Sequence, residues 1–149
     1  MENCTEKKRV TLDDLLTKKK TQELQLDFKK YPDGLIPTVV QDAKTGQIMM
    51  VGFVSQEALD ETRETGLATF YSRSQKGLWT KGKTSGDTLT VKRILTDCDQ
   101  DTLIYEVNVD GQGACHLAGW DSCFQLEIDK TNGKIKELLE PLSIWERKN

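Results

Sequence analysis

The chain has 149 residues, of which 36% are hydrophobic and 30% are charged, and its formal net charge at pH 7 is -3. This length and composition predict one soluble globular domain that can bury a hydrophobic core without disulfide bonds. The acidic balance argues against a general nucleic-acid or anionic-membrane binder, because the chain has no net positive charge to attract either.

The N-terminal region is charged and lacks the apolar segment and cleavage site of a signal peptide. The longest apolar run, residues 48–54, is too short to span a bilayer. We therefore expect a cytoplasmic protein with reduced thiols and no membrane partner. In that compartment the four cysteines are expected to be metal ligands, nucleophiles or core residues rather than disulfides.

The first part of the chain alternates turn signals with short regular elements. A sequence like a capping box predicts a short helix over residues 11–20. Alternating apolar and polar residues predict a strand over 24–28, and residues 31–34 carry a turn signal. Two β-rich segments, 36–42 and 47–53, predict a hairpin because a turn sequence containing glycine joins them.

A helix is predicted over residues 56–65, with Ser55 as its N-cap and Gly66 after its last turn. The remaining pattern favours strands, and residues 131–133 predict a tight turn between the last two. The predicted strands are 68–72, 78–81, 88–98, 103–109, 124–128 and 134–139. Short consecutive strands with few crossover helices predict a single β-rich α+β domain with mostly antiparallel strands and a few short helices.

Residues 97–101 contain three aspartates at alternate positions, Asp97, Asp99 and Asp101. If this segment continues the preceding strand, the three carboxylates share one face, because side chains alternate along a strand. Carboxylates crowded in this way repel one another unless a cation neutralises them, and Mg²⁺ prefers such oxygen ligands. A solvated acidic loop without a metal is an equally good interpretation of the triplet alone.

Cys98 would point to the opposite face of the same strand, where a thiolate could bind zinc. Cys115 and Cys123 follow at wide spacing, so the three thiols can meet only through the fold or across a subunit boundary. Three thiolates with an open fourth position would form a catalytic type of zinc site. Burial as inert core residues is the alternative for these cysteines.

His116 is the only histidine in the chain and lies beside Cys115. It is a candidate fourth zinc ligand or proton-transfer group, because the pKa of histidine lies near neutral pH. A purely structural role, including a structural site of three cysteines and one histidine, remains open.

Residues 72–86 combine four cations, several hydroxyl groups and three glycines around one tryptophan. Such a segment can bind phosphate, and the indole can stack on a base. A polar hairpin with solvated lysines is the alternative. The candidate substrate-binding residues are Arg73, Ser74, Trp79, Lys81, Lys83, Thr84 and Ser85.

Taken together, these motifs resemble those of the phosphoribosyl-AMP cyclohydrolases of histidine biosynthesis, in the same order and over about residues 33–125. The segments that carry the resemblance are Asp33-Gly34-Leu35-Ile36-Pro37, Val40-Gln41-Asp42, Phe70-Tyr71-Ser72-Arg73-Ser74, Leu78-Trp79-Thr80-Lys81-Gly82-Lys83-Thr84-Ser85-Gly86, Asp97-Cys98-Asp99-Gln100-Asp101, Cys115-His116 and Ser122-Cys123-Phe124. The segment between Cys115 and Cys123 is one residue longer than is usual in this family and lacks its basic pair.

The resemblance implies a homodimeric enzyme that opens the adenine ring of 1-(5-phosphoribosyl)-AMP by adding water and cleaving the N1–C6 bond. It implies Mg²⁺ at Asp97, Asp99 and Asp101. It also implies zinc at three cysteines drawn from both subunits, and His116 as the proton-transfer residue beside water activated by zinc. The zinc ligands implied by the family are Cys98, Cys115 and Cys123.

The resemblance divides the chain into an N-terminal extension, residues 1–23, and a cyclohydrolase-like domain, residues 24–149. Two other functions stay open from the sequence. One is a non-catalytic paralogue, a binding module that keeps zinc for stability. The other is a zinc hydrolase of a related purine nucleotide, which the longer segment after Cys115 could permit.

Overall fold

A computed structural model describes residues 11–12, 23–113 and 121–138 of the chain. These residues form one helix of more than a single turn and eight strands. The elements are β1 (Ile36–Asp42), β2 (Ile48–Val54), α1 (Gln56–Thr65), β3 (Thr69–Ser72), β4 (Gly77–Thr80), β5 (Leu89–Thr96), β6 (Leu103–Val109), β7 (Leu126–Ile128) and β8 (Ile135–Glu137). The predicted β-rich α+β class is confirmed.

Strands β1 and β2 form the predicted antiparallel hairpin, with Ile36 paired to Val54 at its open end. Gly46 closes the turn: its φ angle is 78°, and its backbone N–H donates to Asp42 at 2.9 Å. Glycine suits this position because a Cβ atom disfavours the left-handed conformation.

The main sheet has four strands in the order β2-β1-β6-β5. Strands β5 and β6 pair antiparallel, like β1 and β2, whereas β1 and β6 pair parallel. The parallel pairing arises because the two hairpins join through their inner strands, which run in the same direction. Most of the pairing is therefore antiparallel, as predicted, with one parallel seam at the centre.

Helix α1 begins and ends where its capping residues predict. The hydroxyl of Ser55 accepts a hydrogen bond from the backbone N–H of Ala58 at 3.1 Å, and Gly66 adopts a left-handed conformation with φ of 77°. Ala58, Leu59 and Thr62 are buried on the inner face of the helix. The helix thus covers the core on one side.

The core lies between the main sheet, α1 and β3. Tyr105 at its centre is completely buried, and its ring centroid lies 5.8 Å from that of Phe70 on β3. Alternate residues of β1 and β6 point into the core, as expected for strands with one buried face. The other large side chains that are almost fully buried are Ile36, Val40, Met49, Val54, Leu59, Leu89, Leu103 and Val107.

The strand predicted over residues 24–28 is wrong, because residues 23–27 form no ladder with another strand. Leu26 and Phe28 pack against the core, so the apolar alternation reflects burial. One backbone hydrogen bond holds this segment, from the N–H of Asp27 to the carbonyl of Gln100 at 2.8 Å. The predicted helix over residues 11–20 lies outside the described residues from 13 onward.

Candidate metal and substrate site

Residues 97–101 form a tight turn rather than the predicted end of a strand. Strand β5 ends at Thr96, and Gln100 adopts a left-handed conformation with φ of 59°. One carboxylate oxygen of Asp97 accepts hydrogen bonds from the backbone N–H groups of Asp101 at 3.0 Å and Thr102 at 3.2 Å. This side chain therefore holds the turn together by accepting from backbone groups four and five residues later.

The turn brings the carboxylates of Asp97, Asp99 and Asp101 together, with one oxygen of each within 4.8 Å of the others. Asp97 and Asp99 are exposed, whereas Asp101 is only 3% exposed. The carboxylates lie together as the sequence suggests, although a turn and not strand alternation gathers them. A buried carboxylate beside two others requires a positive partner.

Lys30 supplies that positive partner in the structure. Its ammonium group forms a short ion pair with Asp101 and lies 3.4 Å from an oxygen of Asp99. The hydrogen bond to Asp101 raises the pKa of Lys30 above its ordinary value. A cation therefore occupies the space between two of the carboxylates, which shows that the donor set suits positive charge.

Sequence reasoning missed Lys30, which lies 71 residues from Asp101 along the chain. The crowding of the aspartates signals that some cation is needed. The sequence does not indicate which of the 21 lysines and arginines provides it.

Of the candidate zinc ligands, Cys98 and Cys123 are described and both are exposed. Because the 97–101 segment is not extended, the predicted separation of Cys98 from the aspartates on two faces of a strand is wrong. Cys115 and His116 lie outside the described residues.

Cys123 is fixed beside strand β2. Its backbone N–H donates to the carbonyl of Met49 at 2.8 Å. The preceding Ser122 is buried, and its hydroxyl donates to the carbonyl of Ile48 at 2.7 Å. These contacts hold the thiol of Cys123 at the edge of the main sheet, since β2 is an outer strand of that sheet.

A cavity of about 620 Å³ opens between the start of α1 and the end of β3. Arg73 and Lys76 supply positive charge to its wall, and Phe28 and Tyr71 supply aromatic surface. The first turn of α1 also lines it, where backbone N–H groups favour anions. The carboxylates of Asp33 and Glu57 also line the cavity and balance the two cations, and its volume is in the range of small-molecule sites.

Arg73 is held in position by two contacts. Its guanidinium group donates to a carboxylate oxygen of Asp33, with N–O distances of 2.7 and 3.0 Å, and lies 3.8 Å from the ring centroid of Phe53. The backbone N–H of Leu35, followed by Arg73, lowers the pKa of Asp33 below its usual range. The carboxylate thus stays ionised beside the arginine.

The other predicted substrate-binding residues lie outside this cavity. Trp79 packs its ring 5.5 Å from that of Phe70, and Lys81 is buried. Ser74 is exposed in the turn after β3, and its hydroxyl lies 3.3 Å from that of Ser72. The predicted residues that lie in the exposed loop after β4 are Lys83, Thr84 and Ser85.

Comparison with known proteins identifies the family. A family model of phosphoribosyl-AMP cyclohydrolase matches residues 50–125. The chain is also 47% identical over 114 residues to the phosphoribosyl-AMP cyclohydrolase of Solibacter usitatus, which covers 76% of this chain and 89% of that protein. The chain belongs to the phosphoribosyl-AMP cyclohydrolase family.

Two further relatives show how the match is distributed. The phosphoribosyl-AMP cyclohydrolase of Desulfatibacillum aliphaticivorans is 42% identical over 126 residues, or 83% of this chain and 99% of that protein. The histidine biosynthesis bifunctional protein HisIE of Staphylococcus aureus is 48% identical over 104 residues, or 70% of this chain and 47% of that protein. This member of the phosphoribosyl-AMP cyclohydrolase family is a hydrolase acting on a carbon–nitrogen bond of a cyclic amidine.

Among the described residues, no helix of this family member is both long and apolar enough to cross a membrane. The family match also spans both cysteines that the structure describes and the complete aspartate turn. The similarity to phosphoribosyl-AMP cyclohydrolases therefore includes the part of the chain in which the candidate ligands lie.

Proposed function

We propose that this protein opens the adenine ring of 1-(5-phosphoribosyl)-AMP by adding water and cleaving the N1–C6 bond, in the third step of histidine biosynthesis. The observation that carries this proposal is the similarity to phosphoribosyl-AMP cyclohydrolases over as much as 83% of the chain. We also propose a cytoplasmic location, which the similarity to enzymes of a biosynthetic pathway favours.

The carboxylates of Asp97, Asp99 and Asp101 are the proposed Mg²⁺ ligands. Two observations support them: their oxygens lie within 4.8 Å of one another, and an ammonium group already lies against two of them. Hard divalent cations prefer such oxygen donors. Magnesium at this position would neutralise the cluster and help to orient the substrate or its phosphates.

The thiols of Cys98, Cys115 and Cys123 are the proposed zinc ligands, and zinc bound there would activate water for attack on the purine ring. We propose that both subunits of a homodimer supply these thiols. Strand β1 lies between β2, beside which Cys123 is held, and β6, which follows the turn of Cys98. Two strand spacings, about 9–10 Å, therefore separate β2 from β6. This separation favours zinc ligands from different subunits over convergence of Cys98 and Cys123 within one chain.

The proposed roles of the remaining residues follow from their chemistry. His116 would transfer protons to and from the ring nitrogen and the attacking water, because its side chain titrates near neutral pH. Arg73 and Lys76 line the cavity and would bind a phosphate of the substrate. Phe28 and Tyr71 would pack against the purine or ribose.

The first test is to incubate the purified protein with phosphoribosyl-AMP and Mg²⁺ and to follow the ultraviolet absorbance change of ring opening. We expect turnover that is abolished by a zinc chelator, restored by added zinc, and reduced at least 100-fold by His116→Ala, a typical effect of losing a general acid–base group.

The controls separate the remaining alternatives. The purine ring of AMP, a related nucleotide, should not be opened. Faster turnover of AMP than of phosphoribosyl-AMP would favour a zinc hydrolase of a related purine nucleotide. Folded, zinc-loaded protein with no turnover of either nucleotide would instead favour the non-catalytic paralogue.

A further inference from the structure

The contacts of Lys30 carry an inference about how the proposed Mg²⁺ site is filled, and it rests on the proposed function. We propose that Lys30 is a tethered counter-ion of this site: its ammonium group neutralises Asp99 and Asp101 when no divalent cation is bound, and a divalent cation must displace it. Lys30 would then lower the affinity of the site for metal while stabilising the metal-free protein.

The first support is that the partners of Lys30 are two of the proposed metal ligands. Its ammonium group pairs with the carboxylate of Asp101 and lies 3.4 Å from Asp99. Asp101 is 3% exposed, so its negative charge has little access to solvent. Its second oxygen accepts from the hydroxyl of Thr102 at 3.2 Å, a neutral group. Lys30 is therefore the charged partner that makes a buried Asp101 tolerable.

The second support is that the backbone places Lys30 at this position independently of the ion pairs. The carbonyl of Gln100, at the apex of the aspartate turn, accepts a hydrogen bond from the N–H of Asp27 at 2.8 Å. Phe28, which follows, packs against the core. Lys30 lies two residues after Phe28. These contacts therefore position Lys30 beside the carboxylates without involving its own charge.

Electrostatics make the two cations exclusive. A divalent ion that binds oxygens of both Asp99 and Asp101 would lie within about 4 Å of the present ammonium position, where positive charges repel strongly in a partly buried site. The side chain of Lys30 is 38% exposed, so it has a path into solvent when it is displaced. Metal binding would therefore exchange one cation for another.

The test measures Mn²⁺ binding to the full-length, zinc-loaded protein by isothermal titration calorimetry, because Mn²⁺ shares the oxygen preference of Mg²⁺. We expect Lys30→Met to tighten Mn²⁺ binding by ~3- to 5-fold, the upper part of the range for removing one partly exposed ion pair. Lys30→Arg keeps the charge and should stay within about twofold of the unmodified protein.

Lys29→Met is the matched control, since Lys29 is exposed and its loss changes the net charge by the same amount. The tightening in Lys30→Met must exceed that in Lys29→Met. The metal-free Lys30→Met protein should also unfold at a lower temperature than Lys29→Met, and Mn²⁺ should raise its melting temperature by more. If Lys30→Met does not fold without metal, Lys30→Gln keeps a neutral donor to Asp101 and should show the same tightening.

Unchanged or weaker Mn²⁺ binding in both neutral Lys30 variants would overturn the proposal, because Lys30 would then support the bound metal or be irrelevant to it. Asp99→Asn separates this failure from failure of the metal assignment itself. If Asp99→Asn weakens Mn²⁺ binding and the Lys30 variants do not tighten it, only the displacement is wrong. If Asp99→Asn has no effect either, the aspartate turn is not the Mn²⁺ site.

Discussion

At the scale of single residues, the position of Arg73 is specified by two different partners. The carboxylate of Asp33 fixes the guanidinium plane through two hydrogen bonds, and the ring of Phe53 covers one face of it. Such an arrangement presents the remaining donors in a fixed direction, which suits the recognition of a phosphate group.

Replacing Arg73 by lysine tests this geometry while keeping the charge. We expect the KM for phosphoribosyl-AMP to rise about tenfold, because a lysine cannot donate in the same planar, bidentate way. The midpoint of urea unfolding should change little, since the pair with Asp33 is exposed. Steady-state kinetics and urea unfolding measure the two effects.

Arg63→Lys on α1 is the matched control, because it makes the same substitution outside the cavity that Arg73 lines. Its KM should equal that of the unmodified protein. An equal rise in KM in both variants would remove the specific role of Arg73.

At the scale of an element, the loop after β4 is closed by two glycines with left-handed backbones. Gly82 and Gly86 have φ angles of 79° and 86°, and the N–H of Gly86 donates to the carbonyl of Gly82 at 2.8 Å. They differ in their surroundings. A Cβ atom on Gly82 would lie 2.2 Å from the backbone of Asp87, whereas one on Gly86 would meet nothing within 4 Å.

These surroundings predict different costs for the same substitution. Gly86→Ala should lower the free energy of unfolding by about 1–2 kcal/mol, the cost of a Cβ in a left-handed conformation. Gly82→Ala should cost more, because the backbone of Asp87 must also move. Urea unfolding of both variants measures this difference, and equal values would contradict the close approach seen at Gly82.

Elements also differ in how well local sequence specifies them. Helix α1 could be predicted to the residue, because its N-cap hydroxyl and terminal glycine act within one turn of the helix. The strand predicted over 24–28 was wrong because alternating apolar residues indicate only that one side of the segment is buried. A strand also requires a neighbouring strand with free hydrogen-bonding groups, which the local sequence does not specify. The aspartate segment is similar: strand β5 ends at Thr96, and a turn with a left-handed Gln100 replaces the strand that the residue pattern would continue.

At the scale of the whole molecule, the proposed division of the zinc ligands between subunits can be tested by mixing inactive variants. Each of Cys98→Ala, Cys115→Ala and Cys123→Ala should lose zinc and activity when purified alone. If the ligands come from two subunits, Cys98 is separated from at least one of the other two cysteines. A heterodimer of the corresponding variants then contains one intact site.

We expect zinc content and turnover to return to about a quarter of the unmodified level in at least one mixture, after subunits are exchanged by denaturation and refolding. Random pairing makes about half of the dimers mixed, each with one intact site of two. The mixtures are Cys98→Ala with Cys115→Ala, and Cys98→Ala with Cys123→Ala. Failure of both mixtures, with unmodified protein refolded in parallel as a control, would place all three ligands in one chain.

The sequence by itself determined the features that depend on neighbours along the chain. The first hairpin, helix α1 and the glycine turns follow from residue types at short spacing, because the contacts involved span only a few residues. Family membership followed from sequence motifs.

Only the tertiary structure decided the contacts between distant segments. Three contacts join residues 40 to 71 positions apart: the parallel pairing of β1 with β6, the ion pair of Arg73 with Asp33, and the ion pair of Lys30 with Asp101. Many residues of equal charge or hydrophobicity could make such contacts, so residue type does not choose among them. Packing of the whole core makes that choice, because it fixes which surfaces meet.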